Sequence, residues 1–127
     1  MKENEISYKI RGAIYKVYNG LGPGLLESTY EAAMIYQLKK DGLKVESQVP
    51  IDIIYDGQKL PTSYRLDLIV EDKIIVELKS VEELNNIHFK QLLTYLRLKR
   101  LHLGILVNFN VENINDGIIR VVNGYEK

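Results

Sequence analysis

The chain has 127 residues, a length that fits one folded unit, and its 46% hydrophobic and 27% charged residues are the mix of an ordinary globular protein. It contains no cysteine, which excludes a disulfide framework, a thiolate nucleophile and a zinc–cysteine site. Seventeen basic residues balance seventeen acidic ones, which speaks against a tight, non-specific nucleic-acid binder and leaves a local basic patch, or a partner that delivers substrate. No apolar run reaches the roughly 18 residues of a membrane span, and the N-terminus lacks a signal-peptide pattern. The expectation is a cytoplasmic protein with no membrane partner.

Glu3 to Tyr18 reads as a helix, with Ile6, Ile10, Ala13, Ile14 and Val17 on one aliphatic stripe. Tyr8, Arg11, Tyr15 and Tyr18 line the opposite face. They make either a stacking platform for bases or a dimer surface, or they mark a helix covered on both sides. Gly20, Gly22, Pro23 and Gly24 then break the chain, without the preceding strand and following lysine of a phosphate-binding loop. A second helix runs from about Leu25 to Lys40 and stops at Asp41-Gly42. Leu26, Tyr30, Ala33, Met34 and Leu38 form its apolar face. Glu27 lies on the shoulder of that face, in a first turn where the helix dipole favours a carboxylate.

Leu43 to Tyr55 alternates, with Val45, Val49, Ile51, Ile53 and Tyr55 on one face and Glu46, Gln48 and Asp52 on the other. Pro50 marks this strand as an edge or a bulge, and Asp56-Gly57 ends it in a turn. Two apolar runs follow, Leu66 to Val70 and Ile74 to Leu78, around a polar turn, Glu71-Asp72-Lys73. They read as a hairpin in which Val70 pairs with Ile74. That register sets Asp67 opposite Glu77, with Lys79 on the same face as Glu77. Charges inside greasy strands are expected to pair or to bind a metal, because an unpaired buried charge costs several kcal/mol. Two facing carboxylates repel, and a hard divalent cation such as Mg²⁺ or Mn²⁺ relieves that repulsion. The plain alternative is a solvated face on which Glu77 and Lys79 form an ordinary ion pair. Arg65 shares the parity of Asp67 and either touches phosphate or pairs with a carboxylate.

The third helix spans Ile87 to Arg100 and turns Phe89, Leu92, Leu93 and Leu96 to the core. His88, Gln91 and Tyr95 share an adjacent face. His88 reads either as a proton shuttle or phosphate contact, or as a surface histidine near a helix start. Arg97, Lys99 and Arg100 suit the C-terminal end of a helix dipole. Leu103 to Phe109 is a buried strand expected to run parallel to a neighbour. Asp116-Gly117 is a turn, Ile118 to Val122 a short final strand, and the last residues are expected to fray. The order of elements implies an α/β fold, a mixed sheet flanked by helices.

Asp67…Glu77-Leu78-Lys79 across a hairpin resembles the active-site signature of the PD-(D/E)xK nuclease superfamily. Gly24-Leu25-Leu26-Glu27-Ser28-Thr29-Tyr30 is similar to the pattern that names the GxxExxY protein family, a branch of that superfamily. The likeness runs from Ile10 to about Phe109. It implies a restriction-endonuclease-like αβββαβ core, with an extra N-terminal helix and a short C-terminal strand, in one nuclease-like domain covering residues 1–127. It further implies Mg²⁺- or Mn²⁺-dependent hydrolysis of DNA or RNA. Asp67 and Glu77 would hold the metal, with the Leu78 carbonyl as an extra ligand, and Glu27 would complete the shell. Lys79 would stabilise the transition state, Gln91 would orient Lys79 or the water, and Arg65, His88 and Tyr30 would contact substrate. The chain departs from the family at Tyr18, where histidine is common, and at Asn108-Phe109-Asn110, where the family tends to Asn-Phe-Gly. Two other classes stand beside the enzyme: a non-catalytic nucleic-acid- or protein-binding module retaining the fold, and a homodimer or larger complex built on the tyrosine face.

Overall fold

Helix α1 (Glu3–Leu21) buries Ile6, Ile10, Ala13, Ile14 and Val17, the stripe that its periodicity predicts. The computed structural model describes residues 1–124, so part of the expected fraying end, residues 125–127, lies outside the described residues. The helix runs three residues beyond Tyr18, through Asn19 and Gly20, and is stopped by Gly22 at φ +70°. Its tyrosine face is divided. The Tyr15 hydroxyl donates to Asn115, and the Tyr18 hydroxyl donates to the Val111 and Glu112 carbonyls at 2.5 and 2.9 Å, while Tyr8 is 79% exposed. The covered-helix reading holds for Tyr15 and Tyr18, which tie α1 to the segment before the last strand. Tyr8 and Arg11 face solvent.

Helix α2 (Glu27–Lys40) starts two residues later than its apolar pattern suggests, because Gly24, at φ +97°, and extended Leu26 still belong to the bend. It turns Tyr30, Met34 and Leu38 inward and ends at Asp41, with Gly42 at φ +87°. The expected long strand over residues 43–55 divides. β1 (Val45–Ile51) joins the main sheet, and β2 (Ile54–Tyr55) and β3 (Gln58–Lys59) form a separate small hairpin around Asp56 and Gly57, both at positive φ.

The main sheet has the order β1, β4 (Tyr64–Val70), β5 (Ile74–Lys79), β6 (Leu103–Asn108), β7 (Ile118–Val122). β5 and β6 are parallel, as the buried run in β6 predicts, and the other neighbours are antiparallel. Helix α3 (Asn86–Lys99) makes the crossover between the parallel pair. β1 is an edge strand, where Pro50 forfeits no interior ladder bond. Helices α1 and α2 pack on one face with Leu68, Val70, Val76, Leu78, Ile105 and Val107. Helix α3 packs on the other face with Leu66, Ile69, Ile75 and Leu106. A side chain at Gly104 would press on Leu92 of α3, so the glycine lets helix and sheet approach closely. Among the described residues no helix is long and apolar enough to cross a membrane.

Candidate active site

Asp67 and Glu77 are bound to each other's strands. The regular β4–β5 ladder runs from Val70–Ile74 to Leu68–Val76 and stops one rung short of the two carboxylates. There the side chains take over. The Asp67 backbone N–H donates to Glu77 Oε2 at 2.9 Å, and the Leu78 backbone N–H donates to Asp67 Oδ2 at 2.8 Å. The predicted register therefore holds through a side-chain rung. Glu77 is 5% exposed and Asp67 half-buried. Burial, joined by the Asp67 charge, pushes the Glu77 carboxyl up to about 8. Burial likewise raises Asp67, against the pull of the Leu78 N–H.

The sheet also bends at this point. Strict alternation would put Leu66 and Leu68 on one face, and Val45 and Val49 on one face. Instead Leu68 and Val45 pack towards α1 and α2, while Leu66 and Val49 pack towards α3. Both strands change face between the Ser47–Leu68 and Val49–Leu66 pairs, at Gln48 and Asp67, and Gln48 sits at φ +50°. This corrects the expectation that Val45, Val49 and Ile51 share a face. The Arg65 guanidinium donates to the Gln48 carbonyl at 3.1 Å, and the Gln48 amide donates to both Glu31 carboxylate oxygens at 3.0 and 3.1 Å. Arg65 thus braces the bend rather than pairing with a carboxylate.

Lys79 ends β5, one residue beyond Leu78, and is half-buried. Its charge lowers the pKa of both Asp67 and Glu77, yet among the described residues no ion pair joins it to either. The chain leaving Lys79 is held on two sides. Buried Asn108 accepts from the Val81 N–H at 3.0 Å and donates to the Val81 carbonyl at 2.9 Å. From α2, Glu27 Oε2 accepts from the Ser80 N–H at 3.2 Å, and the Ser80 hydroxyl donates to the Leu25 carbonyl at 2.6 Å. Glu27 is thereby brought to the carboxylate end of the sheet, where its charge also raises Asp67.

The remaining predicted residues lie differently. Tyr30 is fully buried, stacks on Phe109 at 4.3 Å between ring centroids, and donates its hydroxyl to the Gly22 carbonyl at 2.5 Å. It accepts from the Leu25 N–H at 3.2 Å. Tyr30 therefore clamps the glycine bend that carries Glu27 and presents nothing to a substrate. His88 Nδ1 accepts from the Asn85 N–H at 3.2 Å and closes the start of α3. Gln91 is half-buried in a groove with Tyr64 and Tyr95, and among the described residues no hydrogen bond links it to Lys79.

Two participants escape a reading of the sequence. Glu31 raises both Asp67 and Glu77, and its only sequence signal is its place one helical turn after Glu27. Asn108 shows in the sequence as a polar end to an apolar strand and as the first residue of the Asn108-Phe109-Asn110 stretch, neither of which points to its grip on Val81.

Among the described residues no three His, Cys, Asp or Glu side chains stand together closely enough to hold a metal ion as they are. The donor chemistry nonetheless fits a hard cation. Asp67 and Glu77 each commit one oxygen to a backbone N–H, leaving Oδ1 and Oε1, and both pKa shifts run in the direction a divalent cation would reverse.

A mixed sheet with a central parallel pair, helices on both faces, and two carboxylates and a lysine where adjacent strands diverge define a restriction-endonuclease-like fold. The profile of the PD-(D/E)XK nuclease superfamily matches residues 4–121, and the chain belongs to that superfamily. The crystal structure of SSO0001 is similar, with a TM-score of 0.59 and 25% identity, over 78% of this chain and 50% of that one. This chain thus spans half the length of SSO0001. No curated protein matches it.

Proposed function

We propose that the chain is a divalent-cation-dependent nuclease of the GxxExxY branch, hydrolysing phosphodiester bonds of DNA or RNA. The observation that carries this reading is the pair of half-buried Asp67 and buried Glu77, with Lys79 two positions along β5, in a member of a nuclease superfamily. Asp67 and Glu77 would hold Mg²⁺ or Mn²⁺ through their uncommitted oxygens, with Glu27 and Glu31 supplying further negative charge from α2. A bound cation of this kind supplies Lewis-acid polarisation of the phosphate and a water of lowered pKa. Lys79 stabilises the charge that grows on the phosphoryl oxygens, and the chain that leaves it is fixed through Val81 and Asn108.

Calorimetric titration with Mn²⁺, with cleavage of mixed single- and double-stranded DNA and RNA in parallel, tests the reading. Asp67→Asn and Glu77→Gln are expected to abolish both cation binding and cleavage. Lys79→Ala is expected to keep cation binding and lose about two or more orders of magnitude in rate. Cleavage that survives Asp67→Asn would overturn the assignment. A second reading, a binding module that kept the fold, rests on the carboxylates' engagement with the Asp67 and Leu78 amides. A folded wild type that binds nucleic acid but neither Mn²⁺ nor Mg²⁺ would select it.

A further inference from the structure

Beside the carboxylate pair lies a cavity of about 320 Å³ between α3 and the strands. Tyr64 of β4 and Ile53, in the link between β1 and β2, form one wall, and α3 forms the other, with Lys90, Gln91, Thr94 and Tyr95 flanked by the apolar Ile87 and Leu98. None of its lining residues is acidic. Tyr95 connects it to the site: the phenol pKa is raised by burial, then by the Glu77 charge, with smaller contributions from Tyr64 and Asp67. Tyr95 also packs with Leu66 and Ile75, which stand beside Asp67 in β4 and two places before Glu77 in β5, so the cavity lies on the α3 side of the sheet towards the carboxylates.

The lining is specific in its chemistry. Tyr64, 44% exposed, offers an aromatic face, and Ile53 an apolar one. Gln91 and Thr94 each donate and accept hydrogen bonds, so they can meet the polar edge of any base. Lys90 supplies one cation for a phosphate. The volume is at the low end of small-ligand pockets, about 300–1,000 Å³, and suits one flat ring system rather than a duplex. A duplex, moreover, keeps its bases stacked and offers no free ring. An apolar peptide side chain would use Ile53, Ile87, Leu98 and Tyr64 and leave the amide, hydroxyl and ammonium idle.

We infer that this cavity takes one unpaired nucleobase of the substrate strand, stacked on Tyr64 with its edge met by Gln91 and Thr94, so that the chain acts on single-stranded or frayed nucleic acid. The inference rests on the nuclease reading of Asp67 and Glu77 for its claim about cleavage, and on the cavity alone for its claim about binding.

Fluorescence anisotropy with a labelled short oligothymidylate, an oligouridylate and a blunt DNA duplex, on the full chain with calcium as cation, tests it. Single strands should bind tighter than the duplex. Tyr64→Ala should weaken single-strand binding about tenfold, as loss of one base–aromatic stack does, and leave duplex binding unchanged. Tyr64→Phe should bind like the wild type. Thr94→Tyr fills the cavity from an exposed helix position and should reproduce the loss, which keeps the test sound if Tyr64→Ala fails to fold. Equal binding of single strands and duplex, binding of neither, or indifference to both Tyr64→Ala and Thr94→Tyr would overturn the inference and leave the cavity to a protein partner. The two readings fail separately. Tyr64-dependent binding with no manganese-dependent cleavage sinks the nuclease and keeps the cavity. Asp67-dependent cleavage that ignores Tyr64 and Thr94 sinks the cavity and keeps the nuclease.

Discussion

Glu77 carries a proton more readily in the folded chain than in the unfolded one, because burial and the Asp67 charge penalise its anion. The sign of the consequence follows from linkage. A carboxyl raised from 4.5 to about 8 lends stability that is full below 4.5 and is lost as pH climbs to about 8. Asp67 is shifted the same way and adds to the effect. The melting temperature of the cation-free chain is therefore expected to fall as pH rises through that window, and Glu77→Gln should flatten the slope. Under the nuclease reading, Mn²⁺ should restore the lost stability at the alkaline end, with release of a proton on binding. Thermal unfolding across the window, with and without Mn²⁺, checks all three. A slope unchanged by Glu77→Gln would place the titrating group elsewhere.

At the scale of the strand, the bend at Gln48 and Asp67 lets β1 and β4 contribute apolar side chains to both layers. A non-glycine residue at φ +50° is uncommon, and the left-handed region costs an L-residue about 1–2 kcal/mol. Gln48→Gly is expected to stay within about 1 kcal/mol of wild type, since relief of the backbone offsets the lost contact to Glu31 and the glycine's entropy. Gln48→Val, β-branched at a positive φ, should cost about 2 kcal/mol or more, and denaturant unfolding of the pair checks the difference. The bend was hidden in the sequence for a physical reason. Val45, Val49 and Ile51 keep perfect alternation, and nothing in their identities records that the backbone flips once between them. The hairpin was legible because its register follows from turn length, and the carboxylates stood out because charges are rare inside such strands. Tyr30 misled for the opposite reason. As part of a spaced motif it looks functional, yet its spacing serves the stack on Phe109 and the grip on the bend.

For the whole molecule, zero net charge means that attraction for a polyanion must come from a few placed cations rather than a general field. Lys79 at the strand end, Lys90 in the cavity and Arg65 at the bend flank the candidate site. Lys9 and Lys16 on α1 are instead turned to Asp41 at the end of α2. The logarithm of single-strand affinity should then fall with the logarithm of salt at a slope of about −2, near −0.7 for each of a few phosphates. A much steeper slope would bring the α1 surface into contact with substrate. The layer order was readable from the alternation of helical and strand patterns. The division of the tyrosine face was not, because Tyr15 and Tyr18 are held by backbone and side-chain groups from the far end of the chain.

The side-chain rung between β4 and β5 has one more implication, which concerns time rather than energy. Most amide protons in a sheet are shielded by a neighbouring carbonyl, whose basicity ignores pH and ions near neutrality. The amides of Asp67 and Leu78 are shielded by carboxylates instead. Their exchange with deuterium is thus set by the charge state of the two carboxylates whose other oxygens are offered to a cation. Two backbone protons serve as isotopic clocks for the occupancy of the site, readable without substrate, label or turnover.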